Sequence, residues 1–161
     1  FEVALDGLLA TPRVISGCQI DAYMQIAALS ELNLHFINSH FLHPDDLLDP
    51  DRGAAIGWET LKHRFSSYLD WLYRSAPAIR NLTGSQMAGA VERYCAAGLW
   101  KMDTEETLYL TVDGLYDEAY MFVRVNQGGL GAVKGGELTH LTGNLYLLHV
   151  TGSEVEIERN R

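Results

Sequence analysis

Between Trp58 and Leu72 the apolar residues Trp58, Leu61, Phe65, Tyr68 and Leu72 recur at steps of three and four, with Leu69 beside them and polar residues between. That period predicts an amphipathic helix, closed by Pro77. A second helical stretch runs from Asp21 to Leu32, where Met24, Ala27, Ala28 and Leu32 share a face. Thr83-Gly84-Ser85-Gln86 has the spacing of a capping box and opens a third, which reaches about Ala97 and stops at Gly98. Short extended runs separate these helices: Val14 to Gly17, Leu34 to Asn38, and Ile79 to Leu82. A strand, loop, helix order of this kind predicts parallel strands covered by helices over residues 1–98, as in a (β/α) barrel or an open α/β sheet.

The period shifts to two after Leu99. Thr107 to Val112, Ala119 to Val125, Leu145 to Val150 and Val155 to Glu158 are rich in β-branched and aromatic residues. Asp113-Gly114, Gly128-Gly129, Gly135-Gly136, Thr142-Gly143-Asn144 and Thr151-Gly152-Ser153 punctuate them as turns. Residues 99–161 are therefore expected to form an antiparallel, β-sandwich-like accessory unit, and the fold class is α/β followed by all-β.

Composition fits globular units, with 47% apolar and 20% charged residues and no low-complexity tract. Twelve Lys and Arg against twenty-one Asp and Glu leave a formal charge of −9, the wrong sign for a nucleic-acid partner. No apolar run approaches the roughly 20 residues of a membrane-spanning helix. Cys18 and Cys95 are too few and too far apart for a zinc knuckle or a disulfide framework. The opening Phe1-Glu2-Val3-Ala4-Leu5 has neither an initiator methionine nor a signal-peptide pattern, so the sequence is expected to be a piece of a longer protein.

The densest chemistry lies in Asn38-Ser39-His40-Phe41-Leu42-His43-Pro44-Asp45-Asp46, behind an apolar run. In α/β folds, polar residues at the carboxyl ends of strands collect into the ligand site. His40 and His43 are two residues apart and could converge on one substrate group or one cation, with Asp45 beside them as a carboxylate partner. Imidazole with carboxylate also suits zinc or a similar divalent ion. The plainer reading is a polar turn, in which Asp46 caps the following segment and Asp49-Pro50-Asp51 is solvated.

A strand running into His43, flanked by Leu42 and Pro44 and followed by Asp45-Asp46, resembles the late motif of NodB-type polysaccharide deacetylases. It is also similar to the deacetylase half of Pel-type exopolysaccharide-modifying proteins. The resemblance implies that residues 1–98 are the carboxyl-terminal part of a (β/α) barrel and that a divalent metal is held by Asp and His side chains of earlier motifs, which are not found here and would lie upstream of Phe1. It implies that His43 protonates the departing amine, with His40 as second candidate and Asp45 in support. It further implies a polysaccharide substrate and a periplasmic or extracellular location.

The leading expectation is thus the carboxyl-terminal part of a metal-dependent esterase that removes N-acetyl groups from an extracellular glycan, inactive as an isolated fragment. Two rivals stand beside it. One is a non-catalytic glycan-binding or scaffold module, with Tyr109, Tyr116, Tyr120 and Tyr146 as candidate contacts. The other is a piece of a glycoside hydrolase in which carboxylates do the work.

Overall fold

The computed structural model of the chain describes residues 2–11 and 13–160. These form two compact units, 1–79 and 80–161.

In the first unit, β1 (Glu2–Val3) and β2 (Leu9–Ala10) make a small antiparallel pair. After them come β3 (Ile15–Ser16), α1 (Ala22–Leu34), β4 (His40–Phe41), a 3₁₀ turn (Pro44–Leu47) and α2 (Trp58–Ser75). Helix α1 starts where Asp21 accepts a hydrogen bond from the Met24 amide at 2.8 Å, satisfying one of the free donors of the first turn. It carries β3 back to lie parallel to β4, with Ile15 opposite His40 and Ser16 opposite Phe41. Ile15, Ala28, Tyr68 and Leu72 form the buried centre of this unit, so the α2 stripe faces β3 and α1. Met24, Phe65, Leu69 and Trp71 pack around that centre.

The second unit opens with α3 (Gly84–Ala96), whose capping box is complete: the Thr83 hydroxyl accepts from the Gln86 amide, and the Gln86 side chain accepts from the Thr83 amide. Seven strands follow: β5 (Gly98–Asp103), β6 (Thr107–Asp113), β7 (Ala119–Arg124), β8 (Gly129–Lys134), β9 (Gly136–Thr142), β10 (Leu145–Val150) and β11 (Glu154–Asn160). They pair as a four-stranded antiparallel sheet, β5-β6-β11-β8, and a three-stranded one, β7-β10-β9. Leu108, Leu110, Val112, Val155 and Ile157 of the first sheet share one apolar core with Leu148 and Val150 of the second. Alternate residues of β6 and β11 point into that core, which is why period two was the visible signal. The unit boundary at Ile79/Arg80 lies ahead of the pattern change at Leu99. Helix α3 belongs with the sheets, to which Arg93 ties it through Glu118.

The expected partial (β/α) barrel of parallel strands is not formed. Among the described residues β3 with β4 is the single parallel pairing, and every other ladder is antiparallel. Two misplaced strands explain the difference. Leu34 is the last residue of α1, and Phe36 turns into the left-handed region at φ 58°, so extended chain starts only near His40. Ile79 to Leu82 forms no strand at all.

Close approach of β-strands at Gly135-Gly136 fixes the junction between β8 and β9. A Cβ on Gly135, whose φ is +79°, would lie 2.1 Å from the Glu154 carbonyl oxygen, and one on Gly136 would lie 2.4 Å from that of His149. Gly135→Ala is therefore expected to lower stability by at least about 1–3 kcal/mol, read as a drop in the urea midpoint of the β signal. An unchanged midpoint would show that the junction relaxes freely.

Candidate functional site

The carboxyl ends of β3 and β4 open onto a cavity of about 350 Å³. Ser16, Gly17, Cys18 and Gln19, which end or follow β3, line it together with His43 and Asp46, which follow β4. Met24 and Arg52 complete the lining. The topology accounts for this position: a parallel pair joined by a helix presents both following loops at the same end of the ladder.

His40 does not line the cavity but braces the β3 loop that does. Its ring sits against Phe65 and Tyr68, with centroids 5.1 and 5.5 Å away, and its Nε2 lies 2.8 Å from the Gly17 carbonyl oxygen. A carbonyl only accepts, so Nε2 carries the proton. Nδ1 is buried and finds no hydrogen-bond partner among the described residues. Burial pushes the His40 pKa below its ordinary value, an effect partly offset by the bond to Gly17. The imidazole is thus a neutral strut. Gly17 reciprocates across the pair, donating its amide to the Phe41 carbonyl at 2.9 Å, and takes the left-handed φ of +82° that turns the chain towards Cys18.

His43 stands at the entry of the 3₁₀ turn, its ring edge-on to Phe41 at 4.4 Å. Its Nδ1 is 3.8 Å from Asp45 Oδ1, and both side chains are substantially solvent-exposed, so the attraction is screened and serves orientation more than stability. Asp46 is 7% exposed, and it does not cap the turn: its Oδ1 accepts from the Arg52 guanidinium at 3.2 Å. Arg52 also lies 3.3 Å from Asp49, and its carbonyl accepts from the Gln19 amide group, which links the two lips of the cavity. Gly53 must lack a side chain here, since a Cβ would meet Leu61 Cδ1 at 2.6 Å and the Asp46 carbonyl oxygen at 2.9 Å. Burial, and then the charge of Asp46, push the Cys18 thiol pKa up, so Cys18 is a protonated wall and a poor nucleophile.

Of the residues singled out from sequence, His43 lines the cavity, His40 bonds to Gly17 in its wall and Asp45 flanks His43 at the surface. The β3 loop and Arg52 went unnoticed. The strand-end rule that drew attention to His43 applies equally to Ser16-Gly17-Cys18-Gln19, whereas Arg52 sits in a stretch that looks like an ordinary polar turn. No three His, Cys, Asp or Glu side chains come close enough to share a metal ion among the described residues. No helix among them is long and apolar enough to cross a membrane.

A mixed α and β unit carrying a polar cavity at the end of a parallel strand pair, joined to a two-sheet antiparallel unit, is the class of protein that fold and site define. The chain belongs to the bacterial family described as "uncharacterised protein conserved in bacteria (DUF2194)", whose model matches residues 1–147. That assignment corrects the likeness to NodB-type polysaccharide deacetylases and their Pel-type relatives: the short His-Pro-Asp motif carried it, and the match over nearly the whole chain is to a different family. No curated protein and no solved structure matches the chain.

The neutral strut sets a sign for pH dependence. A folded pKa below the unfolded one means that the unfolded chain binds the proton more readily, so the contribution of His40 is full above the unfolded value of about 6.5. It is lost as pH falls from there through the folded pKa. Between pH 7 and pH 5 the urea midpoint of the wild type is expected to fall more than that of His40→Gln, which keeps a donor for Gly17 and removes the titration. Parallel pH profiles would place the strut elsewhere.

Proposed function

We propose that the cavity behind β3 and β4 is the substrate pocket of a glycan-directed hydrolase that removes N-acyl groups, with His43 as proton donor to the departing amine. The observation that carries this reading is the position of His43: it lines a polar cavity while Asp45 lies 3.8 Å from its Nδ1, which leaves Nε2 to exchange a proton with a ligand. Ser16, Gln19 and Arg52 supply donors, and Asp46 an acceptor, for a polyhydroxylated molecule. Burial holds the Cys18 thiol pKa up, which disfavours thioester chemistry, and the reading rests on acid–base catalysis by His43. The described residues offer no ligand set for a divalent ion, so the steps assigned to this chain are binding and proton transfer alone.

In the full-length protein, acetate release from an N-acetylhexosamine polymer should drop by a factor on the order of 10² to 10⁴ in His43→Ala, with ligand affinity little altered. Acetate release that survives the substitution rules out the assigned role. Reducing sugar in place of acetate would favour cleavage of the glycosidic bond, and wild-type protein that yields neither would reject the hydrolase reading.

A further inference from the structure

Strand register defines an outward face on the four-stranded sheet. Residues directly opposite one another point to the same side, so Met102, Tyr109, Glu156 and Lys134 form a row across β5, β6, β11 and β8. Trp100, Thr111 and Glu154 form the next row, and Gly98 opposite Asp113 begins a third. The intervening residues Leu108, Leu110, Val112, Val155 and Ile157 fill the core, so these rows face away from it.

This face is unlike an ordinary solvated one. Trp100 is 69% exposed and Met102 59% exposed, on an edge strand whose six residues are all exposed. The indole is nonetheless held: its Nε1–H donates to Asp113 Oδ2 at 2.8 Å. A large aromatic plate already fixed in orientation loses little freedom on binding, which favours a ligand that stacks. Carboxylates spread beside it. Glu154 accepts from the Thr111 hydroxyl at 3.0 Å, Glu156 accepts from Lys134 at 2.9 Å, and Glu158 continues the β11 line opposite Thr107. With Asp113 these are four anions against the single cation Lys134 in the rows described. Ionised carboxylates only accept hydrogen bonds, so a fitting ligand must donate them and carry positive charge.

We propose that this face binds a sugar chain bearing free amino groups. An amino sugar offers an apolar C–H face to Trp100, hydroxyl donors to the carboxylates and an ammonium group to their charge. Strands stand about 4.8 Å apart, so a chain crossing β5, β6 and β11 passes from the aromatic plate to the line of glutamates within two strand steps. A lysine-rich peptide also answers the charge and offers cations to the indole, but it brings neither a flat C–H face nor a set of hydroxyl donors, and oligolysine in the test separates the two. The proposal is independent of the cavity around His43 and stands or falls without it.

The test is calorimetric titration of the 161-residue chain with a glucosamine hexamer, its fully N-acetylated counterpart and a lysine oligomer of similar length. The glucosamine hexamer should bind and should weaken as salt is raised. Trp100→Ala should lower its affinity roughly tenfold and Trp100→Phe should restore most of it, while Glu154→Gln with Glu156→Gln should lower it about fivefold. The acetylated hexamer should bind markedly less well. Equal or tighter binding of the acetylated form, tighter binding of oligolysine, affinity indifferent to Trp100→Ala, self-association through this face in sedimentation, or no binding of any probe at millimolar concentration would each overturn the proposal.

Discussion

One imidazole holds the first unit's cavity together. His40 reaches from β4 to the Gly17 carbonyl just past β3, while Phe65 and Tyr68 of α2 grip its ring. Two residues of parallel ladder are a weak joint by themselves, and parallel strands need a covering layer to persist. The side-chain bond extends that joint by one residue and ties it to the buried face of α2. It also aims the left-handed turn at Gly17 so that Ser16 to Gln19 line the same space as His43. The geometry requires a neutral ring. A protonated His40 would place a second N–H in a buried position without an acceptor.

The second unit solves its burial problem differently. It needs no polar strut, because two antiparallel sheets close over Leu148, Val150, Val155 and Ile157, all essentially inaccessible. Polar contacts move to its surface, where Glu118 accepts from His149 at 2.9 Å and approaches Arg80 and Arg93, anchoring α3 to the edge of β7. The two units therefore place their chemistry in different kinds of setting: a concave, partly desolvated pocket in one and a flat charged face in the other. A concave site surrounds a small group, whereas a flat face suits contact along an extended polymer.

What could be read from sequence follows the same division. The α2 stripe, the Thr83 capping box, the buried Ile15 and the strands β6, β7, β10 and β11 were legible because each rests on a local, repeated pattern. Strand β5 was hidden, since a strand with no buried residue has no alternation to betray it. Gly128 and Gly135 do bend the chain between strands, but Gly129, Gly131 and Gly136 lie within β8 and β9, and so glycine-rich a stretch hid those two strands. Leu34 to Ile37 misled because four apolar-leaning residues fit a helix end as well as a strand, and the side-chain bond from Asn33 to the Leu29 carbonyl reinforces the helical choice. Those misplaced strands suggested a parallel layer, and the deacetylase likeness turned that layer into a barrel. Half of the cavity was legible in the His43 loop, and half needed the crossover that brings Gly17 to His40.

A neutral, Nε2-protonated His40 beside Gly17 is directly measurable. Long-range ¹H–¹⁵N correlation spectra of histidine-labelled protein report the tautomer and the titration of each ring. One ring is expected to show the Nε2–H tautomer, to titrate below the usual histidine range and to vanish from the spectrum of His40→Gln. A His40 ring that carries its proton on Nδ1, or that charges at the ordinary pH of an exposed histidine, would contradict it.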